Sequence, residues 1–468
     1  MIFNSLEFIP FFVALYALYL CARNRTWQNS VLLIGSYGFY GYAAPAYVFL
    51  LAFYTLVGFV TGLAVERYQR PSRRWILAAA VVSNLGVLAY FKYADFFIEQ
   101  VAAGLGGLGW PSPFQPLRVV LPIGVSFFAF QCIAYMVDVY RGDVRACRSP
   151  LEFAVFKAFF PQLVAGPIER ARHMLPQFER PRTIDAAAIR DGIYFVLLGY
   201  VLKCVVADRV ASFVDYQFTF VASIDRTPES VVLAILAFGI QIYGDFAGYT
   251  YIALGLARLM GIELSRNFLA PYLATDIRQF WRRWHVTLSN WLRDYLYIPL
   301  GGSRKGEART LSNLLVTMAL GGLWHGASWN FVIWGVFHGA GLVAHRITKP
   351  LRESLPDGVR TYGGWLLTLV FVMFGWGIFR AHSMADLSAM LRALASVNPV
   401  ALVSDSQTWI LGAILATVLG VQYAEEQRAG STWVSRLPLE GRVAVYVASL
   451  ASVLAIGFGS HRFIYFQF

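Results

Sequence analysis

Charge is what this chain has least of. Only 14% of its 468 residues are Asp, Glu, Lys or Arg, against 57% hydrophobic, and its mean hydropathy is +0.54. A soluble domain carries about 25% charged residues, so an ordinary water-soluble fold is excluded. Cysteine is also scarce. Cys21, Cys132, Cys147 and Cys204 form no CxxC pair, which argues against a metal knuckle or a disulfide framework and leaves packing as their role. There is no GxSxG elbow, no HExxH pair and no Walker loop. A serine nucleophile, a zinc peptidase centre and nucleotide hydrolysis therefore lack support. The one GxGxxG match, Gly104 to Gly109, falls in a loop with no flanking strand, so a dinucleotide fingerprint is not expected there. No internal repeat stands out, which weighs against the many transporters that show one. The start lacks a basic stretch, carries Glu7 and has bulky residues before Cys21 where signal cleavage needs small ones. The run from Phe8 to Leu20 thus reads as a retained span.

What the chain does have is repeated apolar runs of about 17–25 residues, the length that crosses a bilayer. Candidate spans are residues 8–22, 28–42, 46–65, 75–91, 118–138, 188–206, 231–257, 309–323, 329–346, 362–380, 407–424 and 442–460. The expectation is an all-α, polytopic transmembrane helical bundle of about 11–12 spans forming one domain over residues 1–468. Basic residues set its orientation. With the N-terminus outside, the inward loops hold 31 of the 39 Lys and Arg residues; the opposite arrangement leaves 8 inside. The net charge of +12 is then mainly a topology signal, with a secondary attraction to anionic membrane lipids or an anionic donor. Nucleic acid is not an expected partner.

Two inward stretches are too polar to span and too apolar for ordinary loops. Leu151 to Pro167 holds Phe160-Pro-Gln-Leu-Val-Ala-Gly-Pro167. Its Pro and Gly break a short apolar segment, which fits a re-entrant hairpin or a loop lying in the headgroups. Asp276 to Tyr297 reads as one amphipathic helix ended by Pro299 and Gly301-Gly302. Ile277, Trp281, Trp284, Leu288, Trp291 and Tyr295 share a stripe; Arg278, Arg282, His285, Ser289 and Arg293 share the next; Arg283, Asn290 and Asp294 make a third. This fits an interfacial helix anchored by Trp and Arg, the floor of a cytoplasmic vestibule whose arginines face a phosphate-bearing ligand, or both at once.

Of the seven histidines, His173, His345, His382 and His461 lie near loop or span ends and read as solvated or interfacial. His338, inside a span, reads as a core hydrogen-bonding group. His285 and His325 are the chemical candidates. Arg282 and Arg283 disfavour a further cation on His285, leaving its ring able to accept a proton. His325 ends an outward-running span among Gly321, Gly322 and Gly326, which let a ligand or another backbone approach closely. An ionisable group at membrane depth costs about 2.5–3.5 kcal/mol on insertion scales and is a functional candidate by default. A histidine there suits removal of a proton from an acceptor hydroxyl as it attacks an activated acyl group, a contribution of about 10²–10⁴-fold.

Six blocks make a resemblance specific: Phe160–Arg170, Tyr243-Gly-Asp-Phe-Ala-Gly-Tyr249, Phe280-Trp-Arg-Arg-Trp-His-Val-Thr-Leu-Ser289, Trp291–Gly302, Gly321-Gly-Leu-Trp-His-Gly-Ala-Ser-Trp-Asn330 and the closing Phe463–Phe468. With these the chain resembles the membrane-bound O-acyltransferase family, in the bacterial branch of alginate O-acetylation proteins. The D-alanyl transfer proteins of teichoic acids are a more distant likeness. The resemblance implies helices around a central funnel or pore, His325 as the essential histidine and His285 as its companion. It implies a cytoplasmic acyl thioester donor such as acetyl-CoA with no bound cofactor or metal, a hydroxyl acceptor on an exopolysaccharide, a periplasmic acetyltransferase partner and a place in the bacterial inner membrane. Arg278, Arg282 and Arg283 are candidates to hold the donor's phosphates, and Trp324, Asn330 and Asp294 are further substrate-binding candidates. One departure stands out: Thr250-Tyr251 follows Gly248-Tyr249, where alginate-branch chains commonly read Ser-Asp. The rival readings are D-alanyl transfer to teichoic acid, a polytopic transporter, and a scaffold for a polymer synthase.

Overall fold

The computed structural model describes residues 2–68, 71–219, 227–426 and 432–456, and within them the chain is helical, with no strand. Every expected span contains a helix: Phe8–Leu20, Arg25–Ala43, Val48–Arg67, Ser72–Lys92, Val125–Arg141, Ala186–Tyr200, Pro228–Leu259, Glu307–His325, Trp329–Ile347, Gly364–Arg380, Ser406–Glu426 and Leu439–Ile456. Among the described residues, five helical stretches are long and apolar enough to cross a membrane by themselves. They are Pro45–Arg67, Ser72–Lys92, Pro228–Leu259, Val359–Arg380 and Ser406–Glu426. In hydrocarbon each backbone N–H and C=O needs an internal partner, and a helix supplies them all within one segment. The chain is thus a multi-pass helical membrane protein.

The contacts divide the chain into two compact units, Met1–Gly192 with Ala253–Ser265, and Ile193–Ile252 with Arg266–Phe468. In the first, local chemistry sets the helix ends. The Asn24 side chain accepts from the Trp27 amide, and Gly142, at φ 85°, closes Val125–Arg141. That helix starts at Val125 and not near residue 118, because Pro122 and the left-handed Gly124 precede it. The segment expected to be either a hairpin or a headgroup loop, Leu151 to Pro167, holds two short helices, Pro150–Ala158 and Phe160–Leu163, and a third, Ala171–Phe178, follows it. Phe153, Phe156, Phe159 and Phe160 are fully buried, which excludes a loop spread on a surface. Lys157 is buried with them and donates to the Phe128 carbonyl and to Gln131 Oε1, both at 3.0 Å. A helix, Ala94–Gly107, occupies the stretch read as a loop, and its glycines face open space with no strand beside them. Cys132 and Cys147 are buried as packing groups, whereas Cys21 is exposed.

In the second unit, a π-helical stretch, Val201–Ala207, leads into Asp208–Thr219. Cys204 is buried there. The helices Glu307–His325 and Trp329–Ile347 form a tight hairpin. Ser328 begins the second helix by accepting from the Asn330 amide. A Cβ on Gly322 would sit 2.0 Å from the Phe331 carbonyl oxygen, and one on Gly335 would sit 2.2 Å from that of Met318. Glycine at both places lets the backbones touch, and this contact fixes where the hairpin's tip, with His325, stands.

Candidate active site

The stretch Asp276–Tyr297 is not one helix. Asp276 caps Ile277–Arg283 by accepting from the Gln279 amide at 2.8 Å. Trp284 is then extended and His285 left-handed, at φ 43° and ψ 54°. A second helix, Val286–Leu292, follows and passes into a π-helical turn, Arg293–Tyr297. The break is secured from residues 267–269. The Val286 amide donates to the Asn267 carbonyl at 3.0 Å, the Thr287 hydroxyl to Asn267 Oδ1 at 2.7 Å, and the Leu269 amide to the Arg283 carbonyl at 2.9 Å. A left-handed non-glycine residue costs about 1–2 kcal/mol, and these bonds offset it. The break turns Trp284 and His285 inward together, and each is 1% exposed. The expectation of a continuous amphipathic helix with His285 on an arginine stripe is therefore corrected. Arg278 and Arg282 are exposed while His285 is sealed.

His285 packs edge to face on Phe246, with ring centroids 4.8 Å apart, and on Trp324 at 6.1 Å. Neither of its ring nitrogens has a hydrogen-bond partner among the described residues. A buried polar group without a partner costs about 1–3 kcal/mol, so two such nitrogens in a packed interior call for an explanation.

His325 is the last residue of Glu307–His325, where the extended Gly326 ends the helix. A Cβ at residue 326 would meet the Phe331 ring at 2.1 Å, so glycine is required for the chain to turn there. The His325 ring lies 5.0 Å from Trp324, 5.1 Å from Trp334 and 5.4 Å from Phe379. It keeps 7% exposure, more than His285. Trp324 thus packs against both imidazoles. Around them runs an aromatic wall in which Trp376 is 4.7 Å from Trp284 and 6.0 Å from Trp334. Aromatic pairs contribute about 0.5–1.5 kcal/mol each beyond the area they bury, so the wall is rigid. Sequence reasoning did not place Phe246, Trp334, Trp376 or Phe379 at the site. The i,i+3 pair Trp376 and Phe379 and the i,i+4 pair Trp334 and His338 were the signals for it.

His338 makes no core hydrogen bond, contrary to expectation. Both its nitrogens lack partners among the described residues, and its ring is held by Trp334 at 4.8 Å and Trp281 at 5.1 Å. The remaining candidates separate. Arg283 is committed to Glu426 at 2.6 Å and to the Ala270 carbonyl at 3.2 Å, whereas the exposed Arg278 and Arg282 face outward. Asn330 donates its side-chain amide to the Ala381 carbonyl at 2.6 Å, which ties the turn after His325 to the end of Gly364–Arg380. Asp294 accepts from the neighbouring Arg293 at 2.7 Å. Among the other histidines, His173 pairs with the buried Glu169 at 2.9 Å, His345 with Arg352 at 3.2 Å, and His382 with Arg380 at 2.6 Å. His461 and the closing block Phe463–Phe468 lie outside the described residues. Among those described, no group of three His, Cys, Asp or Glu is placed to hold a metal ion.

Two imidazoles set against one indole, in a site walled by rings, can take and return a proton with little competing water. A family profile described as the membrane-bound O-acyltransferase family matches residues 145–385, a range that includes both histidines. The chain is 38% identical over 420 residues to the probable alginate O-acetylase AlgI of Pseudomonas putida, covering 88% of this chain and 83% of that one. It is 32% identical to the peptidoglycan O-acetyltransferase of Helicobacter pylori, covering 84% and 79%, and 24% identical to the teichoic acid D-alanyltransferase of Bacillus subtilis, covering 66% and 79%. A multi-pass helical chain matched by this profile over its middle half, and by relatives at 32–38% identity over more than four fifths of its length, belongs to the membrane-bound O-acyltransferase family and is an acyl-transferring enzyme.

Proposed function

We propose that the protein moves an acetyl group from a cytoplasmic thioester, acetyl-CoA, across the inner membrane toward the hydroxyl groups of an alginate-like exopolysaccharide, and that it acts as one catalytic domain over residues 1–468. The observation that carries the reading is the packing of both His285 and His325 against Trp324. His325, the more accessible of the two, is the general base. It takes the proton of the acceptor hydroxyl as the oxygen attacks the thioester carbonyl. The carbon–sulfur bond breaks, the sulfur leaves as thiolate, and the imidazolium returns the proton to it. His285, also packed on Trp324, assists, its nitrogens being unpartnered among the described residues and available to bond a substrate group. Arg278 and Arg282 meet the donor's phosphates, and Trp324 packs on the acyl arm. The distribution of basic residues supports an N-terminus on the outer side, with the thioester arriving from within. Transfer onto the polymer is completed by a periplasmic acetyltransferase partner, so the acceptor met at His325 is that partner or the sugar itself.

The alginate-like acceptor rests on relatives at 38% identity carrying that name. The Helicobacter pylori relative favours a second acceptor, peptidoglycan. The experiment offers the purified protein labelled acetyl-CoA, then a D-alanyl carrier-protein thioester, each with alginate or peptidoglycan fragments, and weighs the products by mass spectrometry. Acetyl esters formed from acetyl-CoA support the reading. D-alanyl esters, or passage of an intact solute with no covalent product, would overturn it.

A further inference from the structure

Asp245 lies past the middle of Pro228–Leu259, one of three ionic side chains sealed together inside the second unit. Lys203 Nζ is 2.5 Å from Asp245 Oδ1 and 2.7 Å from Asp208 Oδ1, and all three side chains are at most 6% exposed. The π-helical stretch Val201–Ala207 brings this about. At 100° per residue, residues five apart on an α-helix point well away from each other. In a π-helix the backbone bonds run from i to i+5, so one turn carries Lys203 over Asp208. Glycines bring the helices close enough for Lys203 to reach the third member. A Cβ on Gly199 would lie 2.6 Å from the Gly248 carbonyl oxygen, one on Gly248 2.9 Å from the Lys203 amide, and one on Gly244 2.9 Å from the Leu202 carbonyl oxygen. Backbone meets backbone at all three positions, and the ion cluster closes the joint. Charges removed from water hold one another firmly, because separating them leaves a bare charge in an apolar interior.

The next residue after Asp245 is Phe246, whose ring stands 4.8 Å from that of His285 and 5.0 Å from that of Phe268. The His285 nitrogens make no bond within the described residues that would set the ring's angle. Its orientation therefore comes from packing against Phe246 and Trp324. We infer that the Lys203–Asp208–Asp245 cluster is a positioning device for His285: it pins Pro228–Leu259 at Asp245 so that Phe246 is a fixed wall for the imidazole. This rests on the reading of His285 as a partner in transfer. It gives the Tyr243–Tyr249 block a role, with Gly244 and Gly248 for the close approach, Asp245 for the pin and Phe246 for the wall.

The test is a double-mutant cycle on the full-length purified protein, reading the turnover number and the KM for acetyl-CoA. The variants are Lys203→Met combined with Asp245→Asn, which leaves the cluster's net charge unchanged, and Phe246→Leu. Each is made alone and in a His285→Gln background. In the parent background each should lower turnover by about tenfold or more, with KM within about twofold, where a full misplacement of about 1 Å would cost about 10²-fold. In the His285→Gln background each should change turnover by less than about twofold. Equal fold-losses in both backgrounds would overturn the inference, as would parent-level turnover in the cluster variant. If the cluster variant does not fold, Asp245→Asn alone, which leaves Lys203 paired with Asp208, takes its place in the same comparison. His285→Gln with parent-level turnover would instead remove His285 from the reaction, a separate failure visible before any cycle is closed.

Discussion

Replacing Gly335 by alanine tests how the helical hairpin places His325. The added Cβ would lie 2.2 Å from the Met318 carbonyl oxygen and 2.9 Å from Ala319 Cα. Ordinary contact begins at about 3.4 Å, so Glu307–His325 must move away by about 1 Å, because the atoms it meets are backbone and cannot rotate aside. Inserting a methyl group into a packed interior costs about 1–3 kcal/mol. The displaced helix carries Trp324 and His325 at its end, and a misplacement of about 1 Å costs about 10²-fold in rate. Gly335→Ala should therefore melt a few degrees lower in detergent and lose about 10²-fold in acyl transfer. Gly86→Ala, with nothing within 4 Å of the new methyl, should match the parent in both. A Gly335→Ala protein with parent-level turnover would refute the claim that this close contact sets the catalytic geometry.

Other expectations can be checked alongside. Asn330→Ala strands the buried Ala381 carbonyl and should cost about 1–3 kcal/mol, read as a lower melting temperature, with turnover falling because the turn after His325 loosens. Arg278→Ala and Arg282→Ala should each raise the KM for acetyl-CoA by about 3–10-fold through a lost phosphate contact and leave the melting temperature alone. Arg283→Ala should do the reverse, lowering stability by freeing Glu426 while KM stays put. His173 lies outside the spans, and its hydrogen bond to Glu169 raises its pKa above the ordinary value. A raised folded-state pKa stabilises fully below the unfolded value of about 6.5 and is lost as pH climbs through the folded one. The parent should accordingly lose some melting temperature between about pH 6 and pH 8, and His173→Phe should show a flatter profile over that range.

The helices could be read from hydropathy because a membrane leaves the backbone few choices, and each apolar run contains a helix. The two candidate histidines could also be picked out, His325 from glycines beside an ionisable group in an apolar run and both from their motif blocks, and the structure brings both against Trp324. The break at His285 could not. Residues 276–297 have a good helical stripe, and bonds to Asn267 and from Leu269, earlier in the chain, overrule it. The same folding-in took Trp284 from a lipid-anchoring position to a core one and parted His285 from Arg278 and Arg282. The Lys203 cluster was hidden for a related reason: a five-residue spacing means nothing on an α-helix and becomes a contact only where the helix widens. His338 shows a third way to miss, since a histidine inside a span was expected to hydrogen-bond and is instead wedged between tryptophans.

The most direct measurement is acetyl transfer from labelled acetyl-CoA by purified His325→Ala protein that elutes and melts like the parent, assayed with its acceptor in liposomes. Loss of a general base alone is worth about 10²–10⁴-fold, so product should accumulate at least 10²-fold more slowly than with the parent. Turnover within about twofold of the parent would contradict a reaction built on that imidazole.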